Sequence, residues 1–371
     1  MSTTVTPVTT LADELALLVP VALRGLSQMQ DNRVGLFSHK ALVGPDGKLT
    51  NHGVNPLYTA ACVIGLQSVR AGRAEPYAGQ TRQALSALVR ADANDPAVIG
   101  TTLWGCVAAG RAEAPRMADA LVARARPLQW SSMQLGLALA GLSRSVRAGV
   151  AQSRRATCAA RAMAAELERR YVPRACVFAA TGGRPRDPFG MTSFASQVYP
   201  VLGLCELAEA TATEPNPAVR RVCDFLVRSQ GELGQWWWFY STRAPKVIEG
   251  YPVYSVHQDA MAVMALLPAT RLGIGDYREA LTSGVQWING TNELGQSMVN
   301  RRAGVIYRSV QRTGGDADGF AGWSRGQRAA AYRAGLTGRT RRAPEVLEVL
   351  EECRSYHLGW LLLAAAMAGA A

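Results

Sequence analysis

The chain has 371 residues, 48% of them hydrophobic, and a formal net charge of +12 from 40 Lys plus Arg against 28 Asp plus Glu. That length allows one large domain or two ordinary ones with a substantial core. No compact basic block with interleaved aromatics occurs, which argues against nucleic acid as a partner. The excess charge then reads as solvated basic faces, or as attraction for an anionic substrate, lipid head group or polymer.

Ala, Leu, Arg and Glu recur while Val/Ile/Thr runs are rare, so an all-α protein is expected. The seven Cys are scattered, odd in number and mostly set in apolar runs, and no Cys-x-x-Cys pair exists. Buried, reduced thiols in a cytoplasmic protein are expected. The stretch MSTTVTPVTTLADELALLVPVAL lacks a basic start and a small-residue cleavage site. The apolar run from Leu358 to Ala371 is shorter than the roughly 20 residues that span a bilayer.

Residues 1–10 read as a frayed polar tail and 11–371 as a single domain. A helix is predicted over Leu11–Met29, ending in QDNRVGLFSHK. A turn follows at VGPDGK, and then NHGVNPLYTAACVIGL, where His52, Asn55 and Tyr58 open an apolar helix. Further apolar helices are predicted at 97–109 with Trp104, at 130–142 with Trp130 and Gln134, and at 193–207 with Gln197 and Tyr199. Two more follow at 255–267 and at 355–367, the last with His357 and Trp360. Between them lie amphipathic stretches: Glu75–Val89, Ala114–Ala125, Ser153–Arg169, Ala218–Ser229, Tyr277–Ile288 and Pro344–Glu352. A helix apolar on every side must be buried, and one with a charged face lies outside. Six of each in alternation predict an (α/α)6 toroid, with six inner and six outer helices around a central cavity. An open α-solenoid is the alternative. Closure is preferred because the inner helices begin with large polar residues that would face something shared.

The stretch Phe225, Leu226, Gln230, Gly234, Trp236 resembles the QW motif of terpenoid cyclases and protein prenyltransferases. A second copy runs Trp287, Ile288, Asn292, Gly295, and a third Leu26, Gln30, Gly35, Phe37. The resemblance implies the toroid fold, with Gln at a helix end and the aromatic packed beside it, and it says little about chemistry. The cyclase Asp-x-Asp-Asp motif is missing. SVHQDAMAVMAL resembles that helix, but Ser255, His257 and Gln258 stand where acids would be, and Asp259 comes one place late. Asp316 and Asp318 lie in a Gly-rich stretch that reads as a turn. Cys353 and His357 are spaced to share a helix face, but no third zinc ligand is evident. No metal or other cofactor is predicted. GWSRGQ, Gly322 to Gln327, is similar to a stretch of unsaturated-uronyl hydrolases. GQWWWFY with YPVYSVHQDAM is similar to uncharacterised bacterial proteins associated with polysaccharide synthesis.

The candidate catalytic residues are His257, Tyr254 and Asp259, at the start of one inner helix, and His52 and Tyr58 at the start of another. His and Tyr suit proton transfer. The candidate substrate contacts are Trp236, Trp237, Trp238, Tyr251, Gln258, Asn55, Gln197, Tyr199 and His357, with Trp323 and Arg325 as an aromatic-plus-guanidinium anion clamp. His52, His257 and His357 are expected to share one hollow. The function expected is an enzyme acting on an anionic glycan or glycolipid, with peripheral membrane contact through such a lipid. Few carboxylates mark the helix starts, so lyase or epimerase-type proton abstraction fits better than two-carboxylate glycosidase chemistry. A terpenoid cyclase or prenyl-diphosphate enzyme and a non-catalytic binding toroid are the alternatives.

Overall fold

A computed structural model of the chain describes residues 9–69, 71–91, 93–150, 154–182, 190–313 and 346–371. Trp323, Arg325, Asp316 and Asp318 lie outside these residues. The helices, in chain order, are α1 (Leu11–Ala16), α2 (Val19–Gln28), α3 (Pro56–Ser68), α4 (Ala71–Ala74), α5 (Ala78–Arg90), α6 (Pro96–Ala108) and α7 (Ala114–Ala123). They continue with α8 (Ser132–Arg147), α9 (Arg154–Arg170), α10 (Ala195–Thr211), α11 (Pro217–Arg228), α12 (Ala262–Arg271), α13 (Arg278–Ile288) and α14 (Ser355–Met367). A single π-turn, His257–Met261, leads into α12.

The starts of these helices are written locally. Asn55, Asp95 and Asn216 each accept a backbone N–H just ahead of α3, α6 and α11, and each is followed by Pro at the first helical position. Ser131 and Gln134 form a reciprocal capping box on α8.

Among the described residues, α3, α6, α8, α10, the π-turn with α12, and α14 pack each on the next, and α14 returns to α3, so the inner ring is closed. Their side chains are buried nearly all round. Around them lie α2 against α14, α5 against α3, α7 against α6, α9 against α8, α11 against α10 and α12, and α13 against the π-turn. The architecture is the expected all-α toroid.

Three seams of the inner ring are glycine contacts. A Cβ added at Gly65 would stand 2.1 Å from the Gly359 carbonyl oxygen, one at Gly141 2.0 Å from that of Gly100, and one at Gly203 2.6 Å from that of Gly136. At these points α3 meets α14, α6 meets α8, and α8 meets α10 backbone to backbone, a distance only glycine permits.

The sixth outer element differs from the expectation. Residues 347–350 form a strand and not an amphipathic helix. The acids of EVLEVLE recur every three residues, a near-helical spacing, and the strand is set instead by antiparallel pairing of Leu347–Leu350 with Ser309–Arg312. The outer partner of α14 is instead α2, near the other end of the chain.

Short strands join the helices. They are β1 (Gln30–Asp31), β2 (Leu36–Val43), β3 (Leu49–Val54), β4 (Tyr171–Val172), β5 (Val177–Phe178), β6 (Met191–Ser193) and β7 (Phe239–Ser241). After them come β8 (Val247–Glu249), β9 (Val253–Tyr254), β10 (Val299–Asn300), β11 (Val305–Ile306), β12 (Ser309–Arg312), β13 (Leu347–Leu350) and β14 (Glu352–Cys353). β2 is flanked by β1, β3 and β14, and β12 lies between β9 and β13. These sheets gather at the N-terminal ends of the inner helices.

Candidate functional site

The QW-like copies share one arrangement. Gln230 donates to the carbonyls of Gly234, at 2.9 Å, and Ala280, at 2.8 Å. Gln30 donates to those of Gly35 and Gln80, and Asn292 to those of Trp287 and Gln296. Trp236 and Phe37 are fully buried beside them. Each amide ties the end of an outer helix to the turn that follows it.

The polar residues opening the inner helices have a related task. Gln258 accepts the Trp236 N–H at 2.9 Å and donates to the carbonyls of Trp236 and Tyr254. Gln197 accepts the Phe178 N–H at 2.7 Å and donates to Phe178, Thr192 and Ser193. Ser132 donates to the Ala179 carbonyl, and Ser355 donates to that of Ser38 at 2.6 Å. The expectation that such groups face a shared ligand is corrected for Gln258, Gln197 and Asn55. A connecting segment threaded over the ring has backbone groups that must be paired, and these side chains pair them.

A cavity of about 300 Å³ opens at this end of the ring. The first turns of α3, α8, α10 and α14 and the π-turn supply its wall: Leu57, Tyr58, Ala61, Met133, Leu137, Ala195, Tyr199, His257, Met261, Tyr356 and Trp360. The connectors add Trp238, Tyr254 and Arg308. Of the sequence-predicted residues it thus collects Tyr58, Tyr199, Trp238, Tyr254 and His257. No carboxylate lines it among the described residues. A second cleft, about 430 Å³, lies on the outer wall between α5, α6 and α7, with Arg90, Arg116 and Arg124 on its rim. Among the described residues it holds no His, Cys, Tyr or carboxylate.

His257 is the imidazole that lines this cavity. The π-turn carries it against Phe194, with ring centroids 4.6 Å apart, and Tyr254, at 5.3 Å. Its Nδ1 is buried and has no hydrogen-bond partner among the described residues. Burial lowers its pKa to about 3, with the Trp236 backbone pulling the other way and His357 adding to the fall. The ring is therefore neutral at ordinary pH, with a nitrogen lone pair to offer. Burial pushes the Tyr199 and Tyr356 phenols well up, so they stay protonated and serve as donors. Tyr199 also accepts from the Trp360 indole at 3.0 Å.

Arg308 was not among the sequence candidates. It lies in a two-residue connector with no periodic signal and reaches the cavity because β12 pairs with both β9 and β13. Its guanidinium stands 5.2 Å from the Tyr254 ring centroid and forms an ion pair with Glu352.

Several predicted residues lie elsewhere. His52 is exposed on β3, opposite Lys40, because the chain is still extended three residues before the Asn55 cap. His357 faces away from the cavity and bonds both oxygens of Asp259, at 2.8 and 2.9 Å. Asp259 is fully buried in that pair, its pKa raised by burial against the pull of His357. The expected common hollow for His52, His257 and His357 therefore reduces to His257 alone, and Asp259 is packed in the ring against His357, off the cavity lining. Trp236 is core, Trp237 donates to the Ser229 carbonyl at 2.7 Å, and Tyr251 donates to Glu293 at 2.8 Å. Cys353 sits on β14, ahead of the helix it was expected to share with His357.

No family model matches the chain, and no curated protein sequence matches it. Solved structures do. A sugar epimerase from a ruminal bacterium is 9% identical and superposes with a TM-score of 0.63 over 97% of this chain and 99% of its own. The cellobiose 2-epimerase of Spirochaeta thermophila is 14% identical, with a TM-score of 0.60 over 90% and 98%. The unsaturated glucuronyl hydrolase of Bacillus sp. GL1 is 15% identical, with a TM-score of 0.56 over 95% of each chain. At these identities the likeness is one of fold. None of the three is a terpenoid cyclase, and they lend that resemblance no support.

Proposed function

We propose that the protein is a glycan-processing enzyme whose axial cavity takes a uronate-type sugar and abstracts a proton from the carbon next to its carboxylate. The observation that carries this reading is the unpartnered Nδ1 of His257, a residue in the wall of an aromatic cavity that also holds a guanidinium. In this scheme the aromatic walls of Trp238, Tyr254 and Trp360 stack on the sugar ring, and Arg308 binds the carboxylate. His257 Nδ1 takes the proton. A carboxylate bound nearby favours the imidazolium and so raises the basicity that burial suppresses. Tyr199 or Tyr356 returns a proton to the opposite face, giving an epimer, or protonates the departing oxygen at the next carbon, giving an unsaturated sugar. The absence of a described carboxylate on the wall counts against two-carboxylate glycoside hydrolysis. The glycan-active proteins that share the fold support the substrate class.

A non-catalytic glycan-binding toroid is the second reading, favoured by the same shortage of acidic groups. The test is incubation with uronate oligosaccharides in deuterium oxide, followed by mass spectrometry and ultraviolet detection of unsaturated products. The expected result is deuterium incorporation or an unsaturated product, falling by a factor of about 100 or more in His257→Gln. Binding without exchange or product would favour the second reading, and an undiminished rate in His257→Gln would remove that residue from the mechanism.

A further inference from the structure

At the cavity's edge, β2, β14 and the start of α14 bring together a cluster of which the proton-transfer scheme uses only Arg308 and Tyr356. Glu352 on β14 receives three cations. Arg308 and Arg354 pair with its Oε1, Arg354 at 2.8 Å, and Lys40 approaches Oε2 at 3.9 Å. One carboxylate thus answers three positive charges. Burial raises the Glu352 pKa, but Arg308 and Arg354 outweigh it and hold the carboxylate ionised. His39 does not complete the balance. Arg354 Nη1 lies 2.7 Å from its Nε2 and 3.1 Å from its Nδ1, so it donates to whichever ring nitrogen carries the lone pair of a neutral ring. Burial and then Arg354 also push the His39 pKa down. With Arg308 assigned to the cavity, Lys40 and Arg354 against Glu352 leave one positive charge in excess at the rim among the described residues.

The same residues carry a stack of rings. His39 lies 5.2 Å from Tyr58 at an interplanar angle of 17°, and Tyr58 lies 4.3 Å from Tyr356 at 36°. Tyr58 and Tyr356 line the cavity, and His39 continues the row outward beside Lys40, whose side chain is 37% exposed. Flat rings beside surplus positive charge are what a charged pyranose requires: a face for its apolar C–H surface and donors for its oxyanion.

We propose that this rim is an anion-accepting subsite. It takes the carboxylate or sulfate of the sugar residue adjoining the one in the cavity, with His39, Tyr58 and Tyr356 as its stacking row and Lys40 and Arg354 as its oxyanion donors. The inference rests on the reading that the cavity holds a uronate. It adds that the natural ligand is an oligosaccharide charged on consecutive residues, entering through the mouth.

The test measures binding by calorimetry for a monouronate, an oligogalacturonide, a sulfated neutral oligosaccharide and an uncharged oligosaccharide of equal length. The proteins are the wild type, Lys40→Gln and Arg354→Gln, with thermal unfolding as a check on folding. The expected result is a loss of about tenfold in affinity for the oligogalacturonide or the sulfated oligosaccharide in each variant, with the monouronate unchanged. Which of the two polyanions responds more identifies the oxyanion. Lys40 is exposed enough that Lys40→Gln reports even if Arg354→Gln unfolds. Wild-type binding of the polyanions with no loss in Lys40→Gln would overturn the subsite and leave the cavity reading standing. An equal loss for the monouronate would also overturn it, because the cation would then serve the cavity. A polyanion-specific loss without any turnover would keep the subsite while the proton-transfer reading fell. No binding of any charged saccharide by the wild type would overturn both.

Discussion

His257 and His357 open neighbouring helices of the inner ring, and both are buried, yet they do opposite things. His357 has a carboxylate on its Nε2 and faces away from the cavity. His257 leaves Nδ1 without a partner and faces into it. A buried polar group is normally paired, because leaving it unpaired costs about 1–3 kcal/mol. A histidine whose pairing is complete is explained by the fold, and one held unpaired against that cost calls for a ligand.

The largest effect that would break this contrast is on the paired side. His357→Ala strands Asp259 in the core. Breaking a buried pair costs about 3–5 kcal/mol. The lower figure applies here, because burial already raises the Asp259 pKa and the orphaned carboxyl can take up a proton. Urea unfolding should show a loss of about 3 kcal/mol, and a loss under about 1 kcal/mol would show that the pair is ornamental.

Gln258 comes next. Gln258→Ala orphans the buried Trp236 N–H and should cost about 2 kcal/mol, again by urea midpoint. Its neighbour His257 makes no comparable set of bonds to the connector, so His257→Gln should be milder at neutral pH.

The smallest effect separates the two histidines by pH. The His257 pKa falls from its ordinary 6.5 to about 3 on folding. Between those values the unfolded chain holds a proton that the native ring refuses, so stability drops as pH falls through that window. The slope reaches up to about 1.4 kcal/mol per pH unit. His257→Gln should remove it. Denaturant midpoints for both proteins at about pH 7 and about pH 5 check this. Parallel decline in the two proteins would mean that His257 is not the buried neutral ring described.

The ring was legible in the sequence because burial and periodicity are tied. A helix such as 97–108, uncharged at every position and apolar at nearly all, has nowhere to go but inside, and 217–228, with its charged face, has nowhere to go but out. The strand at 347–350 was missed because Glu recurs there every three residues among helix-forming Leu, and only its pairing with 309–312 makes it a strand. The site was less legible for a different reason. Gln258 and His257 are adjacent in the chain and equally able to hydrogen-bond. Which one ties down a connector and which is left for a ligand is decided by the π-turn and by where Trp236 passes overhead. Arg308 gave no pattern at all, since only strand pairing brings it to the cavity.

The glycine seams bear on how anything gets in. Where α3 meets α14 and α6 meets α8, main chain rests on main chain, with no side chain between to slide or tilt. Such a bore has no slack for widening, so its diameter acts as a fixed gauge. On the proposed reading a sugar would meet a mouth whose width these seams hold fixed, so selection by size would precede any chemistry.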